Sequence, residues 1–377
     1  MNSWKRSVLG MLCNIRKGFT PSTGNSSYWG GDIDWLSIAD MNQGKYISST
    51  NKKITEAGAK NRNIIKKGTL LMSFKLTIGK LGILNKDMYT NEAICNFQWN
   101  TPNISTEFMY YYLSSINIKK YGSQAAKGIT LNNDTLNAIP VFYPSFDEQE
   151  KIANFLSVVD KKIELMEKKY QFIKKYKMGL MQKIFSQEIN FKGEDKELEV
   201  KKIGDYLIES KIVGEDKINK RLTVKLNLKG VYPRDTTTVE KIGATKQYIR
   251  KAGQFIYGKQ NLFKGAFGIV PDYLDGYLSS SDIPSFDFKK NINPIWFYYY
   301  FSRESFYRKL EDLSTGTGSK RVSPNDFLKI KISIPSLKEQ NEIADFLSKI
   351  DNKIDSVEQQ LEKIKEFKKY LLQQMFV

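Results

Sequence analysis

The sequence contains no histidine among its 377 residues. That absence excludes every site built on an imidazole: a Ser-His-Asp or Cys-His arrangement, a His-ligated metal, and any side chain whose ordinary pKa lies near neutrality. Cysteine is nearly absent too. Cys13 and Cys95 stand far apart, so no zinc-type spacing exists, and a reducing, cytoplasmic compartment is the expectation. No stretch approaches 18 uninterrupted apolar residues and no apolar segment follows residues 1–5, so neither a membrane span nor secretion is expected. Acid is the scarcer charge, with 41 Asp+Glu against 59 Lys+Arg and a net charge of +18. Such a balance favours an anionic partner, of which nucleic acid is the commonest. With 41% hydrophobic and 13% aromatic residues, the chain has enough apolar surface for two or three domain cores.

The main positive feature is internal repetition. Residues 144–185 align without a gap to residues 335–376, and 19 of the 42 positions are identical. Each copy opens Pro-Ser-x-x-Glu-Gln, at Pro144, Ser145, Glu148 and Gln149 and again at Pro335, Ser336, Glu339 and Gln340. Ser-x-x-Glu is the spacing of a capping box, and the proline stops whatever precedes it, so a helix starts at each place. Apolar residues then recur at steps of four and three. They fall at Ile152, Leu156, Val159, Ile163, Met166, Tyr170, Ile173, Leu180 and Ile184 in the first copy, and at Ile343, Leu347, Ile350, Ile354, Val357, Leu361, Ile364, Leu371 and Met375 in the second. A heptad seam of about five repeats predicts two long helices, each pairing with another helix as in a coiled coil. Lys177 and Lys368 interrupt the seam at the same place, where a polar residue either fixes the register or frays it. A helix over 148–185 spans about 57 Å at 1.5 Å per residue, comparable to about 17 base pairs of DNA.

The repetition continues upstream. Ile64, Lys66, Lys67 and Gly68 correspond to Ile249, Arg250, Lys251 and Gly253, and Tyr110, Tyr111, Tyr112 and Ser114 correspond to Tyr298, Tyr299, Tyr300 and Ser302. The chain therefore reads as a mixed α and β block at 1–143, a helix at 144–192, a second such block at 193–334 and a second helix at 335–377. Short β-rich runs, such as 69–74 and 254–257, alternate with Gly and Asn turns, and one helix per block carries the tyrosine cluster. Bases stack on such rings, but consecutive aromatics on a helix face several directions, and most are expected in the core.

The charge is uneven, at +9 for 1–143, +3 for 144–192, +7 for 193–334 and −1 for 335–377. Residues 57–86 hold seven basic residues and no acid, and their counterpart, 241–271, holds six and none. Two equivalent acid-free strips predict two phosphate-facing surfaces. The candidate DNA contacts are Thr20, Ser73, Lys75, Thr77, Lys80 and Lys127 in the first block, and Arg234, Lys259, Gln260, Asn261, Lys264, Lys320 and Arg321 in the second. Lys and Arg reach guanine O6 and N7, and Gln and Asn pair with adenine, although a lysine in a basic loop more often meets a phosphate.

Motifs of chemistry are sparse. Pro271 and Asp272, followed by Asp287, Phe288 and Lys289, fit a loose nuclease pattern in which two carboxylates hold Mg²⁺ and a lysine supports the attacking water, but the first block has no counterpart. Residues 315–320 lack the first glycine of a phosphate loop and run into Arg321. Asn293, Pro294, Ile295 and Trp296 lack the second proline of an adenine methyltransferase motif. A self-sufficient Mg-dependent nuclease on Asp272, Asp287 and Lys289, and a coiled-coil scaffold that reads no sequence, stand as the alternatives to a DNA-reading subunit.

The opening at residues 4–10, the Gly18, Phe19, Thr20, Pro21, Ser22 segment, the loop at 77–82 and above all the paired Pro-Ser-x-x-Glu-Gln-x-x-Ile-Ala-x-Phe-Leu-Ser helix starts resemble the specificity subunit of type I restriction-modification systems, over the whole chain. Block two, between Lys202 and Leu226, departs by lacking a Gly-x-Thr-Pro-Ser segment. The resemblance implies an α+β fold: two duplicated mixed α/β target recognition domains, each reading half of a split DNA sequence, separated by two long antiparallel coiled-coil helices. It implies no catalysis by this chain. Two methyltransferase subunits and two restriction subunits, translocases with nuclease activity, are the implied partners, and AdoMet, ATP and Mg²⁺ would be theirs.

Overall fold

The computed structural model describes residues 4–75, 77–125, 128–189, 198–215, 217, 220–235, 245–314 and 320–376. They form two compact units, Met1–Glu167 with Gln360–Val377, and Lys168–Gln359. The division runs through both long helices instead of falling at their ends. Among the described residues no helix is long and apolar enough to cross a membrane.

The first unit is built on a five-stranded sheet. Its strands are β1 (Cys13–Lys17), β2 (Tyr46–Ile47), β3 (Leu70–Ser73), β4 (Leu81–Leu84) and β5 (Ile94–Trp99), in the order β1-β5-β3-β4-β2. All pairs are antiparallel except β4 with β2. All four residues of β3 are buried, which is why its sequence reads as an unbroken apolar run instead of alternating. Helix α1 (Thr106–Ser115) starts where Ser105 Oγ accepts from Phe108 N at 3.3 Å. It lays Phe108, Met109, Tyr111 and Tyr112 into a core shared with Leu70, Met72 and Phe97. The long helix α2 (Phe146–Phe185) begins in this unit.

The second unit repeats the plan with β6 (Leu207–Ser210), β7 (Phe255–Tyr257), β8 (Phe267–Ile269) and β9 (Ser285–Phe288), in the antiparallel order β6-β9-β7-β8. Helix α3 (Pro294–Phe301) plays the part of α1, capped by Asn293 and started by a proline. Its Trp296, Phe297 and Phe301 pack with Phe255, Phe267 and Phe286. The tyrosine clusters therefore belong to the cores, with Tyr111, Tyr112, Tyr299 and Tyr300 all buried. In each block a two-stranded ladder, Lys5–Val8 with Pro140–Tyr143 and Glu199–Lys202 with Lys331–Ile334, joins the ends of the block just before its long helix. The second of those helices is α4 (Leu337–Met375).

Each unit holds the start of one long helix against the end of the other, antiparallel. In the first, Lys368 Nζ lies 2.5 Å from Asp160 and Lys365 Nζ 2.9 Å from Glu167. In the second, Lys177 Nζ lies 2.5 Å from Asp351, and the Tyr170 hydroxyl donates to Glu358 at 2.9 Å. Every seam position is turned away from solvent. Ile152, Leu156, Val159, Ile343, Leu347, Val357 and Leu361 are buried, and Ile163, Met166, Ile173, Leu180, Ile350, Ile354, Ile364 and Leu371 are half-buried.

The interrupting lysines are ion-paired, and the pairing is reciprocal across the repeat. Each Asp also accepts from the core tyrosine of its unit, Tyr111 to Asp160 at 2.8 Å and Tyr299 to Asp351 at 2.6 Å. Each helix end completes a core as well. Phe376 packs edge-on to Phe108 and Tyr112, and Phe185 edge-on to Trp296 and Tyr300. At the helix starts, the buried Gln149 accepts from Ser105 N at 3.0 Å and donates to the carbonyls of Asn103 and Pro144. Gln340 does the same with Asn293 N, at 2.8 Å, and with the carbonyls of Asn291 and Pro335. The paired Glu-Gln signature is thus partly a cap for the neighbouring aromatic helix.

Because Asp351 serves both Lys177 and Tyr299, its removal takes the carboxylate from Lys177 and leaves Tyr299 only its longer contact with Ser348. Asp351→Ala is expected to destabilise the chain by about 2–3 kcal/mol, more than Lys177→Met. A Lys177→Met/Asp351→Ala cycle followed by urea unfolding should show a coupling of roughly 1 kcal/mol; strictly additive effects would mean that the pair does not set the register.

Candidate nucleic-acid interface

Eight of the thirteen residues expected to meet DNA sit on the β3–β4 hairpin and its counterpart, β7–β8. In the first hairpin Ser73 is fully buried. Its hydroxyl donates to the Thr77 carbonyl and accepts from Lys80 N at 3.1 Å, while its carbonyl accepts from Gly79 N at 2.8 Å. Ser73 therefore closes the loop from inside, a correction to its place among the reading residues, because a buried, doubly bonded hydroxyl has nothing left to offer a base. What it presents outward is Lys75 and Thr77, both exposed. Lys80 is half-buried, with Nζ on Asn42 Oδ1 at 2.7 Å.

The Gly18 segment is strapped to the sheet beside this loop. Gly18 N donates to Ile94 O at 3.0 Å and Phe19 N to Thr90 O at 2.8 Å. A Cβ on Gly18 would fall 2.1 Å from the Thr90 carbonyl, so only glycine fits. The Thr20 hydroxyl donates to Glu92 and accepts from Asn91 at 3.0 Å, which turns it toward its own loop. Around it the basic strip is partly paired already. Lys66 holds the exposed Asp87 carboxyl below its ordinary range. Burial works to raise Asp34, yet hydrogen bonds from Lys86 and Thr50 leave it lowered. Lys127 lies outside the described residues.

In the second unit the hairpin loop is clamped by two neighbours. Lys259 N donates to Asp282 O at 2.9 Å, and Lys259 O accepts from Val322 N at 3.0 Å. Asn261 is half-buried, and its carbonyl accepts from both Lys264 N and Ala266 N. Gln260 and Lys264 are exposed at the tip. Lys320 pairs with Glu311 at 2.9 Å, and Arg321 approaches Asp282 at 3.6 Å, beside the clamp. Arg234 is exposed at the end of a separate hairpin, Leu222–Lys225 with Gly230–Pro233.

One member of the second basic strip is not on the surface. Arg250 is 1% exposed. Its guanidinium donates to Ser279 Oγ at 2.6 Å, to Ser285 Oγ at 3.0 Å and to the carbonyls of Ser210 and Ser280. Burial lowers its pKa to about 10, with Glu209 working the other way. The correspondence with Lys66 also shifts. Arg250 pairs with Tyr277 as Ile65 bridges to Met88, each three residues before a left-handed glycine, Gly253 and Gly68. The buried arginine thus occupies the place of a buried isoleucine. The only sequence signal for it is the run Ser279, Ser280, Ser281 with Ser285, which supplies its acceptors.

The phenols that line the seam are poor acids. Burial first, then the neighbouring aspartate, pushes both Tyr111 and Tyr299 well above the ordinary tyrosine value. For the nuclease pattern, Asp287 accepts from Gln254 at 2.8 Å and Lys289 donates to the Gly204 carbonyl at 2.7 Å. Among the described residues no group of three or more His, Cys, Asp or Glu is placed to hold a metal ion.

Comparison with known proteins accords with the repeat. The family model described as the type I restriction modification DNA specificity domain matches twice, over residues 1–175 and 195–366. The MjaIX specificity subunit of a type I restriction enzyme of Methanocaldococcus jannaschii is 31% identical over 54% of this chain, a match that spans 51% of that relative's length. The MjaVIII specificity subunit of the same organism is 22% identical over 98% of this chain and 91% of its own. Among solved structures, the type I restriction-modification S subunit from M. genitalium superposes with a TM-score of 0.61 at 13% identity, over 100% of this chain and 96% of that one, which shows a shared fold. With both halves matched and the duplicated frame in place, the chain belongs to the type I restriction-modification DNA specificity family.

Proposed function

We propose that this chain is the DNA-binding specificity subunit of a type I restriction-modification complex, and that each unit reads one half of a bipartite double-stranded target through its basic hairpin face. The observation that carries this reading is the placement of two structurally equivalent sheets, each presenting a hairpin loop with an exposed lysine, Lys75 in one and Lys264 in the other, within a chain whose two halves both match the specificity family. The chain itself performs no chemistry in this reading. It directs adenine methylation and restriction by two methyltransferase and two restriction subunits in the cytoplasm, and AdoMet, ATP and Mg²⁺ are bound by those partners. The domains that read are residues 1–143 and 193–334, and the helices of 144–192 and 335–377 set an unread spacer between the half-sites. The exposed Lys75, Thr77, Gln260 and Lys264 are the residues we place nearest the bases or phosphates.

Long-read mapping of methylated adenines in cells carrying the complex should reveal one bipartite motif that disappears when this chain is deleted. No motif, or Mg²⁺-dependent cutting by the isolated chain, would displace the reading.

The spacer claim has its own test. Because Asp160 pairs with Lys368 and Asp351 with Lys177, a heptad added to one helix alone breaks a pair. A heptad added to both, between Asp160 and Lys177 and between Asp351 and Lys368, keeps them. The double insertion adds about 10 Å of helix, and the preferred spacer should lengthen by about three base pairs with both half-sites unchanged. An unaltered spacer sinks the idea.

Lys75→Ala should cost about 1–3 kcal/mol of discrimination in the half-site read by the first unit and leave the other untouched. Equal loss across all sequences in a competition binding assay would make Lys75 a phosphate contact instead.

A further inference from the structure

Beside the hairpin clamp of the second unit lies a half-open cavity of about 280 Å³, lined by Glu209, Ser210, Lys211, Tyr248, Arg250 and Lys259. Ser281, Pro284, Pro324 and Asn325 complete the lining. Its charge is mostly of one sign. Three cationic groups, those of Lys211, Arg250 and Lys259, face a single carboxylate, Glu209, which Lys211 already engages at 2.9 Å. Arg250 forms the floor, and its four hydrogen bonds run to serine hydroxyls and backbone carbonyls, with no carboxylate among them. Ser210 is 6% exposed, and its enclosed hydroxyl finds no partner among the described residues. The Lys259 ammonium and the Asn325 side chain make no hydrogen bond or ion pair with any described residue. Lys259 is half-buried and Asn325 exposed, so both donors can turn to a ligand that enters the cavity.

We infer that this cavity seats one backbone phosphate of the DNA half-site read by the second unit. Lys259 and Lys211 would supply charge, and Asn325 a neutral hydrogen bond to a non-bridging oxygen. The inference rests on the DNA-reading function proposed above and sharpens it, because it moves Lys259 from base reader to phosphate anchor. The chemistry selects an acceptor-rich anion: every group without a partner can donate, and the only acceptor of full charge is already neutralised. The position selects the source. Lys259 lies at the root of the hairpin loop, bonded through its backbone to both flanking segments, whereas Gln260 and Lys264 stand exposed beyond it. A rigid anchor behind adaptable readers is how phosphate contacts fix register without carrying sequence information. In the first unit Ile65 stands where Arg250 does, so no cation lies beneath the loop at that position.

The test uses the full chain and duplexes carrying the mapped target, with one neutral methylphosphonate placed in turn at each position of the second unit's half-site. Wild type should lose about tenfold in affinity at one position. Lys259→Ala should bind unmodified DNA about tenfold more weakly, be insensitive to the methylphosphonate at that position, and flatten the log K against log salt slope by about 0.9. Its ranking of target sequences should not change. Asn325→Ala, on an exposed position, should show a smaller loss at the same phosphate. Methylphosphonate sensitivity that persists in Lys259→Ala, an unchanged salt slope, or an altered base preference would overturn the inference. So would tight binding of inorganic phosphate by the free chain, at constant ionic strength, with a silent methylphosphonate scan. Wild type that shows no preference for any duplex would instead defeat the function proposed above, so the two failures are distinguishable.

Discussion

Two lysine–aspartate pairs fix how the long helices meet, and much else follows from them. A heptad seam alone specifies a stripe, not a register, because sliding one helix by seven residues returns apolar groups to apolar groups. A single lysine per seam removes that freedom. Lys177 has its carboxylate only when it faces Asp351, and Lys368 only when it faces Asp160. A slip of one heptad would leave four half-desolvated charges without partners, and the penalty for an uncompensated charge exceeds what a surface ion pair contributes. The same aspartates receive hydroxyls from Tyr111 and Tyr299. The helix register is thereby tied to the orientation of the aromatic helix in each unit.

That tie extends outward to the hairpin faces through packed layers. Gln149 and Gln340 satisfy the first backbone donors of the aromatic helices and so set where those helices begin. The aromatic helices in turn cover the sheets, where Phe97 and Phe286 lie on the central strands. The sheets carry the hairpins. In the first unit there is also a direct strut: Lys45 donates to the Tyr111 hydroxyl and, at 2.7 Å, to Ser157 on the long helix. Three cation–π contacts, to Tyr46, Tyr110 and Tyr111, surround the same ammonium. The loop carrying Asn42, which Lys80 of the hairpin contacts, is thus anchored to the helix that bears the register lock.

Legibility in the sequence followed the range of the interactions. The long helices could be read because their signal is local and periodic, and because two copies made it redundant. Their starts and ends fall within two residues of the repeat boundaries. The sheets could not be read, since strands of two to six residues acquire their order from pairings such as Leu70 with Phe97 and Phe255 with Phe286, which no local pattern encodes. The same limit explains the misplaced residues. Ser73 looked like a loop hydroxyl but is the last buried residue of a strand. Arg250 counted toward a basic surface but is enclosed by serines from β6, β9 and the strand that pairs with its own. Composition reports how much charge a segment holds, and only tertiary contacts decide which way it points.

The two units diverge in a manner that separates frame from face. At the frame, the repeat keeps chemistry fixed: Gln149 and Gln340, Asp160 and Asp351, Ser157 and Ser348, Phe185 and Phe376 are identical pairs making like contacts. At the hairpin face, almost nothing is kept. One unit straps a Gly18 segment beside its loop, closes the loop with a buried serine and places isoleucine beneath. The other lacks that segment, clamps its loop through Asp282 and Val322, and places an arginine beneath. Between face and seam stand the aromatic helix and the buried glutamine, which are the same in kind in both units. A chain built this way can change what either unit contacts without changing how the helices pair. That independence is what the proposed reading of two separate half-sites would require.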